Sequence, residues 1–150
     1  MQLYSISDEY ISYLRKKFPR VYSNKEYIFH GSPIKVKKLV PNQACDMAFE
    51  EGCQLAVYGT TNKKMAILFA LGCITESDEA ERIMMPEYGD KMLFRKCHPN
   101  YGGKGYLYYL DKSKFIHAMG TQWVCYDEIV PERIEEICVN EYLADCIIEK

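Results

Sequence analysis

The stretch Tyr27-Ile28-Phe29-His30-Gly31-Ser32-Pro33 constrains the fold of this chain more than any other. An apolar, strand-like run carries a histidine to its end, and Ser32-Pro33 stops it, because proline lacks an amide donor and restricts the residue before it. A His-Gly pair at the lip of a strand sets an imidazole beside a backbone that no side chain shields. A flat polar ligand can then reach both the ring nitrogens and the peptide groups. That reading makes His30 and Gly31 the edge of a pocket. The plainer reading is that His30 closes a strand through a satisfied hydrogen bond.

At 150 residues the chain is expected to form a single domain, 1–150, able to bury a core of its own. Its 48% hydrophobic and 27% charged residues are those of a globular protein and exclude a disordered one. The N-terminal residues show no basic region followed by an apolar run, and no stretch is apolar for long enough to span a bilayer. A cytoplasmic location without membrane attachment is expected. The seven cysteines, at 45, 53, 73, 97, 125, 138 and 146, are odd in number and form no C-x-x-C pair, which fits reduced thiols better than a disulfide framework. Cys97-His98 is the one adjacent metal-capable pair, and with no second pair a metal site is not expected. Residues 1–64 carry ten Lys/Arg against six Asp/Glu, and residues 65–150 nine against fifteen. This asymmetry reads first as a solvated face; it would also suit a phosphate-bearing ligand, and it is too mild to indicate a nucleic-acid binder.

Taken in order, Ser7 to Phe18 reads as a short amphipathic helix with Tyr10, Ile11, Leu14 and Phe18 on one face, Ser5 and Asp8 as a capping box, and Pro19 as its end. Tyr10, Tyr13 and Tyr22 read as core packing. Ile34 to Val40 reads as an extended edge segment, with Ile34, Val36 and Leu39 inward and Lys35, Lys37 and Lys38 outward. Asn42 to Gly52 reads as a loop with one helical turn. Gln54 to Gly59 is a second short strand, after which Thr60-Thr61-Asn62 offers N-caps for a helix from Lys63 to Leu71. Glu76 to Met85 reads as an acidic helix. Short strands follow at Met92–Phe94, Gly105–Leu110, Phe115–Met119, Gln122–Tyr126 and Arg133–Val139, with turn signals between them. An early helix and strand followed by a run of strands indicates α+β.

The order of Phe29-His30-Gly31-Ser32, then Val57-Tyr58 with a following helix that carries Phe69, then Gln122-Trp123-Val124-Cys125-Tyr126-Asp127, resembles the ADP-ribosyltransferase fold of the diphtheria-toxin and poly(ADP-ribose) polymerase branch. That branch reads NAD with a histidine, a tyrosine and a glutamate drawn from three strands. The resemblance covers residues 27–127 and implies a split β-sheet core with short flanking helices. It implies NAD as substrate, cleavage at the nicotinamide glycosidic bond, and transfer of ADP-ribose to a macromolecular acceptor or to water. His30 would hydrogen-bond the adenosine ribose, and the Gly31 backbone would hold the nicotinamide carboxamide. Tyr58 would stack on the nicotinamide ring, with Phe69 as a second aromatic beneath it, since offset stacking and cation–π attraction each contribute on the order of 1 kcal/mol. His30 and Tyr58 are expected at the ends of adjacent strands, on one face and opening on one pocket.

Two positions depart from the family. Ala66 stands where a small hydroxyl residue often binds the carboxamide, and Gln122 stands where a glutamate binds the nicotinamide ribose. The amide keeps a hydrogen bond and loses the negative charge, a type of electrostatic stabilisation worth about 10²- to 10³-fold in rate. Glu128 shares a face with Gln122 in a regular strand but lies roughly 20 Å along it, so it cannot simply substitute. Two functions from different classes follow: a glycosyltransferase that cleaves NAD using His30, Tyr58 and Gln122, and a catalytically weak or inactive module that binds NAD or ADP-ribose on the same fold. A third reading treats the His-Tyr-Gln set as coincidence.

Overall fold

A computed structural model describes residues 7–17, 26–43 and 55–149. The chain runs through helix α1 (Asp8–Lys17), strands β1 (Tyr27–Ser32), β2 (Asn42–Gln43) and β3 (Leu55–Thr60), and helix α2 (Lys63–Ala70). Strands β4 (Ile74–Thr75), β5 (Glu81–Met85), β6 (Lys91–Arg95), β7 (Cys97–His98), β8 (Lys104–Asp111), β9 (Ile116–Met119), β10 (Gln122–Cys125), β11 (Arg133–Cys138) and β12 (Cys146–Glu149) follow. The class is α+β. The main sheet has the order β11-β8-β1-β3-β10-β9, with β2 paired to β3, and a smaller sheet has the order β12-β6-β5.

Alternation along β8 builds the two layers that bury this sheet. Leu107 and Tyr109 point to one side with Ala66, Ile67, Leu68 and Leu71 of the α2 segment, together with Met92, Phe94, Ile137 and Val139. Tyr108 and Leu110 point to the other side with Ile28, Leu39, Val57, Phe115, Cys125 and Ile129. Helix α2 begins where the sequence offered a cap: the Asn62 side chain accepts from the Met65 amide at 3.2 Å.

The helix lies against the sheet without intervening side chains at two points. A Cβ at Gly31 would overlap the Ala66 carbonyl oxygen, and a Cβ at Gly105 would overlap the Ala70 carbonyl oxygen. Gly31 and Gly105 sit on adjacent strands, β1 and β8, so the pair fixes both the height and the direction of the helix. The sequence put Gly31 at a pocket's lip for its bare backbone, and the helix requires the same absence of a side chain.

Several expected elements differ. Glu76 to Met85 is not a helix. Ser77, Asp78, Glu79 and Ala80 form a turn in which the Ser77 hydroxyl accepts from the Glu79 amide at 2.9 Å, and Glu81–Met85 is strand β5, paired antiparallel with β6. The local charge pattern suits either structure, and pairing with Met92, Leu93 and Phe94 decides it. Ile34 to Val40 forms no strand, apart from a single bridge from Leu39 to Ile129. The buried Tyr108 hydroxyl donates to the Ile34 carbonyl at 2.7 Å and accepts from the Val36 amide at 2.8 Å, replacing ladder bonds. Ile34 and Val36 are exposed rather than inward, whereas Leu39 is buried. Tyr10 and Tyr13 are exposed and stack on each other, not in a core. Helix α1 is capped by Ser7, whose hydroxyl accepts from the Tyr10 amide at 3.2 Å. Ser5, Phe18, Pro19 and Tyr22 lie outside the described residues; of the loop expected at Asn42 to Gly52, Asn42–Gln43 form strand β2 against β3 and the remainder lies outside them.

Gly31→Ala is expected to cost ~2 kcal/mol or more in chemical denaturation, because a methyl group there must push back a helix backbone rather than a flexible side chain. A loss under about 0.5 kcal/mol would show that the helix is not held at that distance.

Candidate functional site

Strand β1 is bound to β8 at six register positions, Tyr27 through Ser32, but meets β3 at one, Phe29 opposite Thr60. Past that position the two strands part, and the seam opens into a cleft of about 780 Å³ under α2. His30, Gly31, Tyr58, Phe69 and Gln122, which the sequence nominated as a set, all line it, as does Ala66. The volume lies within the range of small-molecule sites, about 300–1,000 Å³.

His30 reaches the cleft in an unexpected way. By alternation it belongs with Ile28 and Tyr108 on the side away from α2, whereas Tyr58, Thr60 and Gln122 point to the helix side. The expectation that His30 and Tyr58 leave the sheet on one face therefore does not hold, which counts against the resemblance. They share the cleft because the seam lets the imidazole lean across it: His30 Nδ1 lies 2.7 Å from the Tyr58 carbonyl oxygen. A carbonyl only accepts, so Nδ1 carries the proton and Nε2 carries the ring's lone pair when the imidazole is neutral. Burial holds the imidazole pKa below its ordinary value, opposed in part by the Tyr58 carbonyl. The side chain is thus a neutral hydrogen-bond acceptor at Nε2, a form suited to a ligand hydroxyl. The satisfied hydrogen bond and the pocket edge turn out to be compatible.

Gln122 is the first residue of β10, opposite Thr60 on β3 and Met119 on β9. The register with β9 shifts between Gln122 and Trp123, an irregularity of the kind that re-aims a side chain at a strand's end. Phe29, Thr60 and Gln122 form a row across three neighbouring strands, which at strand spacing puts the Cα atoms of Phe29 and Gln122 about 10 Å apart. Glu128 is not a substitute carboxylate: it is exposed and pairs with Lys38 at 2.8 Å. Phe69 lines the cleft from α2, but the Arg82 guanidinium lies 5.1 Å from its ring centroid. A cationic ligand ring stacking on that same face would meet this charge, so Tyr58 is the better placed of the two aromatics for that purpose.

The sequence reading missed the wall formed by β5, which contributes Arg82, Ile83 and Met84, and the hairpin contribution of Met119 and Thr121. The sequence carried no clear signal for the first, since Glu81-Arg82-Ile83-Met84-Met85 shows no polar–apolar alternation and the acidic residues before it suit a helix. Among the described residues lining the cleft there is no carboxylate, and Arg82 alone carries a full charge. Compared with models of protein families, with curated proteins and with solved structures, the chain gives no significant match.

The state of His30 sets a pH dependence. The unfolded chain takes up a proton near the ordinary value of 6.5 and the folded chain only below it, so the unfolded state holds more protons in that window. Stability is therefore complete above 6.5 and falls as the pH drops toward the lowered folded value. Denaturation midpoints measured from about pH 7.5 to about pH 5 are expected to fall more in the wild type than in His30→Gln, which cannot titrate. Parallel profiles would show that the imidazole is not held neutral.

Proposed function

We propose that the cleft is an NAD site of the ADP-ribosyltransferase type, in which binding is intact and cleavage of the nicotinamide glycosidic bond is slow because Gln122 holds the position of a catalytic glutamate. The observation that carries this reading is convergence. Residues up to ninety-two positions apart in sequence, which the resemblance groups as one site, line one cleft at a sheet seam. His30, with Nε2 as acceptor, suits a ribose hydroxyl. Gly31 brings backbone to the cleft wall, and Tyr58 offers a flat aromatic face.

In this reading the C1′–N bond breaks with its electron pair passing to the nicotinamide nitrogen, which becomes neutral. Positive charge grows on the ribosyl carbon until an acceptor hydroxyl or water adds there and gives up its proton, or a carboxylate adds there as the anion. A carboxylate beside that carbon lowers the barrier by stabilising charge present only in the transition state. Gln122 offers a dipole instead, and the described lining residues include no other acid to replace it. Ala66, buried against Gly31, adds no hydroxyl for the carboxamide. Both departures favour a protein that binds NAD or ADP-ribose with little turnover, the acceptor being a macromolecule or water.

NAD is expected to raise the thermal midpoint in a concentration-dependent way, with stabilisation of about 2.7 kcal/mol at a hundred times its Kd. Tyr58→Ala should reduce the shift. Gln122→Glu should raise nicotinamide release about 10²- to 10³-fold with little change in NAD affinity, because it restores charge at constant volume. A melting curve unchanged at millimolar NAD would overturn the reading.

A further inference from the structure

The charge at Arg82 is placed unlike the others on its sheet. On one side of the β5–β6 pair, Arg95 is paired with two carboxylates, Glu81 at 2.7 Å and Glu149 at 3.3 Å. Arg82 pairs in register with the fully buried Phe94, and Met84 with the fully buried Met92, so both alternate to the side that meets the helix layer. Among the described residues no carboxylate lies within salt-bridge distance of Arg82. Its guanidinium is held by the Phe69 ring and by the Phe69 carbonyl, to which one nitrogen donates at 3.3 Å. That carbonyl is among the last four of α2, at the negative end of the helix. One of five donors is used there, and the fork lies along the wall of the cleft.

A purely structural account would make Arg82 a cap for the end of α2. Capping does not explain why the cleft's single full charge is a planar, permanently protonated fork. Such a group matches phosphate oxygens two at a time. We infer that Arg82 is the residue that selects ligands bearing a diphosphate for this cleft, pairing its guanidinium with the phosphate oxygens. This rests on the NAD reading for the identity of the whole ligand and deepens it, since NAD and ADP-ribose both carry a diphosphate between two ribosides. Arg82 then acts as an anion selector on the wall opposite the neutral His30, and the repulsion it offers to a cationic ring on Phe69 orients the ligand.

The test is calorimetric titration of the wild type, Arg82→Gln and Arg82→Lys with NAD, ADP-ribose, inorganic pyrophosphate and adenosine. Arg82→Gln is expected to weaken ADP-ribose binding roughly 10- to 100-fold and to abolish pyrophosphate binding, while adenosine affinity changes less than about twofold. Arg82→Lys should recover part of the loss, because it keeps the charge without the fork. A structural cap alone would lower the thermal midpoint of Arg82→Gln and leave the ratio of ADP-ribose to adenosine affinity unchanged, which would overturn the inference while NAD binding by the wild type upheld the wider reading. Pyrophosphate binding that depends on Arg82, in a protein that ignores NAD, would support the anion site and overturn the NAD reading. Binding of none of the four ligands by the wild type would overturn both. Should Arg82→Gln fail to fold, the wild type decides: its affinity for ADP-ribose must fall with added salt more steeply than that for adenosine, and equal slopes would contradict the inference.

Discussion

The contact on which the rest of this structure depends is that of the α2 backbone with two bare positions of the main sheet, Gly31 and Gly105. A helix usually stands off a sheet by the thickness of the side chains between them. Here Ala66 and Ala70 bring carbonyl oxygens directly over neighbouring strands, and α2 is pinned across β1 and β8. Everything that lines the cleft from above is positioned by that contact. Phe69 follows Ala66 by three residues, and the Asn62 cap lies two residues from the end of β3, which ties the start of the helix to the sheet. With β1 held by β8 at six positions and by the helix above, its separation from β3 beyond Phe29 is a fixed gap rather than a frayed edge.

The electrostatics of the gap follow from this geometry. Burial keeps His30 neutral and the Tyr58 carbonyl fixes its tautomer, so the ring accepts at Nε2. Gln122 is polar without charge, and Arg82 supplies the one cation among the described lining residues. A cleft with one cation and no carboxylate favours anionic, hydroxyl-rich ligands and gives little stabilisation to positive charge developing inside it. In the proposed reading a hydrogen bond at the Gln122 position serves binding and a negative charge there would serve cleavage, and the amide supplies only the first.

Much of this was legible in the sequence because the informative signals were local. The apolar runs ending at His30-Gly31 and at Tyr58-Gly59 mark β1 and β3, and Asn62 marks the start of α2. What could not be read depends on partners far along the chain. Ile34 and Val36 look like an edge strand until Tyr108, more than seventy residues on, takes up their backbone groups. Glu81–Met85 looks like part of an acidic helix until it is paired with β6, and with it Arg82 was lost from the candidate site. The face from which His30 enters the cleft depends on where two strands separate, a tertiary feature with no periodicity of its own. The side chains named from the sequence line one cleft, while the β5 wall was hidden behind a misassigned element.

The central claim is that the seam between β1 and β3, roofed by α2, is built to hold NAD. A crystal structure of the protein grown with NAD or ADP-ribose tests it most directly. The account predicts the ligand in this seam, with a ribose hydroxyl donating to His30 Nε2, the nicotinamide or its vacant place against Tyr58 and Gly31, and the Gln122 amide within hydrogen-bond distance of the ribose nearest it. A ligand bound elsewhere on the molecule, or a seam left empty at saturating NAD, would contradict it.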